Sequence, residues 1–133
     1  MGYRSNVKIL LEPKAYEMVM NSIKAYNENN KKDGKYHYEF KPHTDMVNQD
    51  GIHIIGWEDV KWYNSYKDVQ SVENILHELN NLEDELTDGY AYKEIIVGED
   101  NQTEEYSNDW DWSCGYNFYA HVEIVEPSGF KEL

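Results

Sequence analysis

Carboxylates are the most abundant chemically active side chains of this chain, and most of them lie in its second half. The 133 residues include 26 Asp and Glu against 12 Lys and Arg, for a net charge of −14. Residues 68–133 alone hold 17 acidic and two basic residues, a net charge of −15. This half disfavours binding to nucleic acids or anionic membranes, which need Lys and Arg. It favours a basic protein surface or metal ions as partner, unless the acidity serves only solubility.

The second predicted helix concentrates carboxylates without nearby cations. No Lys or Arg follows Lys67 in residues 67–86, so the helix lacks i,i+4 ion pairs, and acids near its C-terminus oppose the helix dipole. Local rules broken in this way mark functional surfaces. The predicted partner-binding residues are Glu73, Glu78, Asp84 and Glu85 on this helix and Glu99, Asp100, Glu104, Glu105, Asp109, Trp110, Asp111 and Trp112 in the acidic connection 98–115.

Trp110 and Trp112 have the same parity and share one face if their segment is extended. In one interpretation both indoles point into the core. In the other they form an exposed aromatic pair flanked by carboxylates, which is typical of protein interfaces. The sequence leaves the two interpretations open.

Metal-binding and nucleophilic patterns are weak in this sequence. His37, His43 and His53 could converge across a hairpin, although scattered histidines are the favoured interpretation. The segment 100–104 resembles a calcium loop but lacks its Gly and its second Asp or Asn. Cys114 is the single cysteine, which excludes a disulfide, and its acidic neighbours make it a poor nucleophile. We therefore expect no catalytic residue, no cofactor and no tightly bound metal.

Hydrophobic periodicity predicts the elements that must position these residues. Val69, Val72, Leu76 and Leu79 recur at helical spacing, behind a Ser65-x-x-Asp68 capping box. The remaining patterns predict a helix from Pro13 that ends within 27–34, and strands at 3–11, 36–40, 52–63, 90–97 and 116–124. Loop-like residues fill 41–51, and the tail 127–133 is expected to be loose.

The order β-α-β-β-α-β-β predicts an α+β fold, with a ferredoxin-like antiparallel sheet and two helices on one face. We expect one domain, residues 1–133, with a core rich in aromatic residues because the chain has 12 Tyr and four Trp. No signal peptide or membrane span is recognisable in the sequence. We therefore expect a cytoplasmic protein.

The opening Gly2-Tyr3-Arg4-Ser5-Asn6-Val7 resembles the start of small proteins of tailed bacteriophages. The segment 57–69, with Lys61-Trp62-Tyr63, is also similar to them. The size and acidity of the chain are similar to those of phage inhibitors of bacterial defence, including anti-CRISPR proteins and DNA mimics. This resemblance implies a phage accessory protein and supplies no catalytic motif.

Two hypotheses about function follow. In the first, the chain is a non-enzymatic inhibitor whose acidic half occupies the basic groove of a host nucleic-acid-binding defence protein, for example a Cas nuclease. Carboxylates would then replace phosphates as partners of Lys and Arg. In the alternative, the chain is a small-molecule or metal-binding module whose pocket is lined by aromatic residues and by His37, His43 and His53.

Overall fold

Strands and helices alternate along the first two thirds of the chain, and short strands dominate the last third. A computed structural model describes residues 2–32, 39–82, 88–121 and 123–133. Its elements are β1 (Ser5–Leu11), α1 (Pro13–Lys32), β2 (Thr44–Val47), β3 (His53–Val60), α2 (Lys67–Asn80), β4 (Tyr92–Gly98), β5 (Thr103–Ser107), α3 (Trp110–Cys114), β6 (Tyr119–His121), β7 (Glu123–Val125) and β8 (Lys131–Glu132).

Six of these strands form one sheet in the order β5-β4-β1-β3-β2-β8, and every pairing within it is antiparallel. β1 lies at the centre, where it pairs with β3 and β4 over most of its length. β6 and β7 form a separate antiparallel pair. The predicted α+β class with a mostly antiparallel sheet is confirmed.

One face of the sheet packs against α1 and α2. Strand side chains alternate between the two faces, so Val7 and Ile9 of β1 point towards the helices. Apolar residues at helical spacing meet them, among them Val19 of α1 and Val72 and Leu76 of α2. The predicted aromatic content of this core is confirmed by Trp57 and by Phe40, Trp62 and Tyr92, which pack in the same cluster.

The opposite face of the sheet is covered by the C-terminal third of the chain. Leu10, Ile54 and Ile95 are buried there beneath Phe118. Trp112, Tyr116, Ala120, Ile124 and Phe130 pack around this second cluster. The centre of the sheet is therefore buried on both faces.

The second strand is the main error in the predicted topology. Residues 39 and 40 are not in a strand, and residues 36–38 lie outside the described residues. β2 instead occupies 44–47, within the segment predicted as a loop. The strand is only four residues long and all of its side chains are partly buried, so it lacks the in–out alternation that identifies a strand from sequence.

The C-terminal half differs from its prediction in three places. The acidic connection contains β5 and α3. The predicted strand 116–124 is divided into β6 and β7, which retain its alternation because Phe118, Ala120 and Ile124 all reach the second cluster. The tail expected to be loose contains β8, which pairs with β2.

The described part of α2 ends at Asn80, and residues 83–87 of the predicted helix lie outside the described residues. The predicted capping box is wrong. Tyr66 is the N-cap without a side-chain cap bond, and the Asp68 carboxylate accepts from the adjacent Val69 N–H. Among the described residues, no helix combines the length and hydrophobicity that crossing a membrane requires.

We expect Trp57→Ala to lower the free energy of unfolding by about 3–5 kcal/mol, because it leaves a cavity where a fully buried indole stacks on Phe40. Trp110→Ala is the matched control, since its indole is 60% exposed and contributes mainly a contact with Lys93. That contact is worth about 0.5–1 kcal/mol. Denaturant unfolding followed by circular dichroism measures both values, and equal losses would contradict the described core.

Candidate functional site

An open groove of about 920 Å³ runs between α2 and the edge of the sheet formed by β4 and β5. It forms because α1 and α2 pack mainly over the strands at the centre of the sheet, while β5 extends the sheet beyond them. Alternation places Tyr92, Glu94 and Ile96 of β4 and Glu104 and Tyr106 of β5 on the groove side. We call this space the α2–β5 groove.

Glu94 lies at the base of the α2–β5 groove and is only 2% exposed. Its carboxyl lies beside the Glu73 carboxyl of α2. Burial, followed by the neighbouring Glu73 carboxyl and the Glu104 charge, raises the pKa of Glu94 well above its usual range. The protonated form of Glu94 is therefore favoured more strongly than that of an exposed Glu.

One oxygen of Glu94, Oε2, is buried and has no hydrogen-bond donor among the described residues. A buried acceptor without a donor costs about 1–3 kcal/mol. The groove thus contains a polar atom that the described part of the fold leaves unsatisfied.

Several donors that line the groove are engaged by the protein itself. Trp62 Nε1 donates to Glu73 at 2.8 Å, and Asn80 Nδ2 donates to the Tyr92 hydroxyl at 2.6 Å. Gln70 Nε2 donates to the Asn64 carbonyl at 2.9 Å, and the Tyr3 hydroxyl donates to Asp100. The carboxyl oxygen Glu94 Oε2, in contrast, remains as an acceptor for an occupant that brings its own donor.

Basic side chains are lacking around this space. No Lys or Arg is among the described residues that line the groove. Lys93, the single basic residue between Asp68 and Glu126, is 6% exposed and lies on the other face of β4. Its Nζ donates to the Phe118 carbonyl at 2.9 Å and pairs with Glu105 at 3.1 Å. The negative potential of the groove is therefore not neutralised from this half of the chain.

Three of the predicted partner-binding residues meet at the groove: Glu73, Asp100 and Glu104. Asp100 lies in the turn between β4 and β5, where the hydrogen bond from Tyr3 lowers the pKa of its carboxyl. The Tyr106 hydroxyl donates a hydrogen bond to the Glu104 carboxylate. Burial, followed by the Glu104 charge, raises the pKa of the Tyr106 phenol. These carboxylates come from three different segments of the fold.

The other predicted carboxylates that the structure describes do not line the groove. Glu78 and Glu99 are exposed and are not among the groove residues, and Glu105 points to the opposite face of the sheet, where it pairs with Lys93. Asp84 and Glu85 lie outside the described residues.

Trp110 and Trp112, the aromatic pair of the acidic connection, both lie in α3 but differ in exposure. Asp109 is the N-cap, with its carboxylate accepting from Trp112 N at 3.1 Å, so these residues are helical rather than extended. Trp110 and Asp111 are exposed, whereas Trp112 is partly buried against Tyr116, with ring centroids 5.2 Å apart. Only one of the two indoles is therefore an exposed anchor.

The histidines have separate roles in the described structure. His53 stacks on Tyr16 and bonds to Asp45 at 2.8 Å, whereas His43 Nδ1 accepts from Glu58 N at 3.0 Å. His37 lies outside the described residues. Within the described part of the chain, no three His, Cys, Asp or Glu side chains are placed to hold a metal ion. The segment 100–104 is the turn and first strand residues of the β4–β5 hairpin, with Asn101 in the left-handed region at φ 65°.

Glu94 was missed because sequence reasoning treated every carboxylate of the second half as part of the surface. The available signal is the position of Lys93-Glu94 inside the otherwise apolar run of β4, YKEIIVG. Adjacent charged residues in a strand that is buried on both faces must each find a partner or a cavity. Lys93 bonds to the C-terminal layer, and Glu94 borders the groove.

This arrangement can hold a cation or exchange a proton. A carboxyl whose pKa is raised by burial, as for Glu94, can release its proton when a positive group arrives, and the surrounding Trp62, Tyr92 and Tyr106 rings offer aromatic surface. The wall is polar and aromatic, and the groove lies within the size range of small-ligand sites, about 300–1,000 Å³.

We expect the free energy of unfolding of Glu94→Gln to fall less than that of the parent protein as the pH rises. The pKa of Glu94 is higher in the folded state than in the unfolded state, where it is about 4.3. The stabilisation that this difference provides is complete below the unfolded pKa and is lost as the pH rises through the folded pKa. Gln has the same shape and does not titrate. Unfolding free energies at about pH 5 and about pH 8 should therefore differ less in the variant than in the parent protein.

Glu78→Gln is the control for this measurement, because Glu78 is exposed on α2 away from the groove. It should leave the pH dependence unchanged. A Glu94→Gln variant with the full pH dependence of the parent would contradict the raised pKa of Glu94.

Comparisons of the chain with protein families, with curated proteins and with solved structures give no match. The function must therefore be argued from the groove and from the surface around it.

Proposed function

We propose that this protein is a non-enzymatic binding protein whose acidic C-terminal half docks on the basic, nucleic-acid-binding surface of another protein. Exposed carboxylates would take the place of phosphates as acceptors for Lys and Arg. The acidic docking surface comprises Glu78, Glu99, Asp100, Glu104 and Asp111.

The observation that carries this proposal is the burial of Lys93. A surface with mixed charges has a weak net field, but here the one cation between Asp68 and Glu126 is enclosed beneath the C-terminal layer. Apart from Glu105, which pairs with Lys93, the carboxylates at the surface of this half therefore have no Lys or Arg partner from residues 69–125. An uncompensated field of this kind accelerates association with a basic partner and makes it depend on salt.

Ordered carboxylates support docking better than flexible ones, because less conformational entropy is lost on binding. Glu104 lies on β5, which pairs with β4, and Asp111 lies on α3, which Asp109 caps. Asp100 is held by the Tyr3 hydroxyl. The acidic connection predicted from sequence thus presents its charges on regular elements.

The partner class that we propose is a host nucleic-acid-binding defence protein, with a Cas nuclease as the first to test. This choice rests on the resemblance of the N-terminal segment to tailed-phage proteins, which would place the chain in a bacterial host cytosol. A basic groove that binds DNA offers the complementary charge.

For the fold we propose the finer description that β4-β1-β3-β2 with α1 and α2 is a ferredoxin-like unit. Its four strands are antiparallel neighbours, and both helices pack against one face. β5 and β8 extend the unit at its two edges.

A second candidate function, binding of a small molecule, is favoured by the α2–β5 groove. The pocket suggested by the sequence involved His37, His43 and His53, whereas the groove in the structure is lined by Trp62, His77, Tyr92 and Tyr106 instead.

We expect the double variant Glu78→Lys and Glu99→Lys to weaken binding to a captured basic partner at least tenfold, about 1.4 kcal/mol. Both side chains are exposed and outside the groove, so the melting temperature should be preserved or slightly raised as self-repulsion falls. Affinity is measured by surface plasmon resonance against a Cas nuclease or another DNA-binding protein isolated from host lysate. Duplex DNA should compete with the parent protein for this partner, and higher salt should weaken the binding of the parent protein.

The matched control is Glu17→Lys with Glu28→Lys, which changes the net charge equally but places the new cations on exposed positions of α1. Its affinity should change much less. Equal losses in the two double variants would show that only net charge matters, and intact binding in both would leave the acidic half as a solvated surface. The purified protein itself should not bind duplex DNA at physiological salt.

A further inference from the structure

The α2–β5 groove contains a feature that an acidic docking surface does not require. Glu94 Oε2 is a buried acceptor without a donor among the described residues, and it lies at the base of the groove rather than on its rim. Surface electrostatics would be served equally well by an exposed carboxylate. A buried one is costly and calls for a specific partner.

The chemistry of the groove defines what that partner must bring. Trp62, Gln70 and Asn80 each donate a side-chain N–H to a protein acceptor. The unsatisfied atom is a carboxyl oxygen, and no Lys or Arg is among the described lining residues. An occupant that supplies N–H donors and a positive charge therefore complements the groove.

We propose that the α2–β5 groove binds a guanidinium group, with Glu94 and Glu73 as its acceptors and the Trp62, Tyr92 and Tyr106 side chains around it. This inference deepens the second candidate function, the binding of a small molecule in the groove, and it can be tested with residues that the charge-reversal experiment does not change. The guanidinium can belong to a small free molecule or to an arginine side chain, and the shared chemistry is the same.

A guanidinium fits better than an ammonium or a divalent metal. It is planar, presents five donors that match two carboxyl groups, stacks on aromatic rings and is weakly hydrated, so it enters partly buried sites at lower cost. An ammonium is a strongly hydrated point charge. A metal ion needs several convergent ligands, and the described residues contain no such cluster of three.

Binding of the cation favours the ionised form of Glu94, because a nearby positive charge stabilises a carboxylate. A proton carried by the neutral Glu94 carboxyl is then released to solvent. Affinity should therefore increase as the pH rises through the raised pKa of Glu94. The titratable groups that line the groove with Glu94 are Glu73 and His77 of α2, Tyr92 of β4, Glu104 and Tyr106 of β5, Asp100 of the β4–β5 turn and Tyr3.

The test is a titration of the full chain with methylguanidinium and, separately, methylammonium, followed by calorimetry and by the nitrogen-15 NMR signal of the Trp62 indole. We expect saturable binding, with methylguanidinium about tenfold tighter than methylammonium, and a shift of the Trp62 N–H, which bonds to Glu73. Glu94→Gln should weaken binding by about tenfold or more and remove its increase with pH.

Glu78→Gln is the matched control and should bind as the parent does. Thermal melting checks that Glu94→Gln is folded, and Glu73→Gln provides a second variant, with the same expected loss, if it is not. N-acetylarginine methylamide distinguishes the sources: binding of this probe shows that a side chain from a protein can enter, and its exclusion restricts the groove to a small molecule.

Three results would overturn the proposal: no saturable binding of methylguanidinium, equal affinity of the parent and Glu94→Gln, or binding of Mg²⁺ or Ca²⁺ with none of methylguanidinium. None of them bears on the charge-reversal experiment, which uses residues outside the groove.

Discussion

A mismatch between the width of the sheet and the width of its helix layer determines most of this structure. Two helices, each about 10 Å across, cover about four strands spaced about 4.8 Å apart. The sheet has six strands, so its edges extend beyond α1 and α2. Where β5 and the outer side of β4 pass beyond the helices, the exposed face must be polar, and Glu104 and Tyr106 occupy it. The groove follows from this geometry.

The two charged residues in the middle of β4 show how the same strand supports two different surfaces. Lys93 points to the C-terminal layer, where a carbonyl, a carboxylate and an indole surround its ammonium group. Glu94 points to the helix layer and meets another carboxyl group. The one position that could neutralise the groove is thus directed away from it by the alternation of the strand. Two consecutive residues thus place a basic and an acidic side chain on opposite faces of the sheet.

Strong periodicity allowed much of the fold to be predicted from sequence. β1, α1, α2 and β4 are long and have clear apolar faces, and they form the centre of the structure. β2 and β5 were missed because they are short strands outside this centre, with side chains that are partly buried or exposed, so neither has a buried face to reveal its alternation. Glu73, Asp100 and Glu104 were predicted from composition, but their convergence depends on β5, and Glu94 was hidden within an apolar strand.

The outer edge of β5 also bears on how the protein behaves at high concentration. Among the described strands, β5 is the last of the sheet and none of them pairs with its outer side, and such a strand edge is a usual starting point for aggregation. The adjacent Glu104 and Glu105 project to opposite faces, so a second molecule that added its own β5 edge would meet like charges on both faces. These carboxylates act as gatekeepers, and neutralising them, by acid or by a bound cation, opens the edge to self-association.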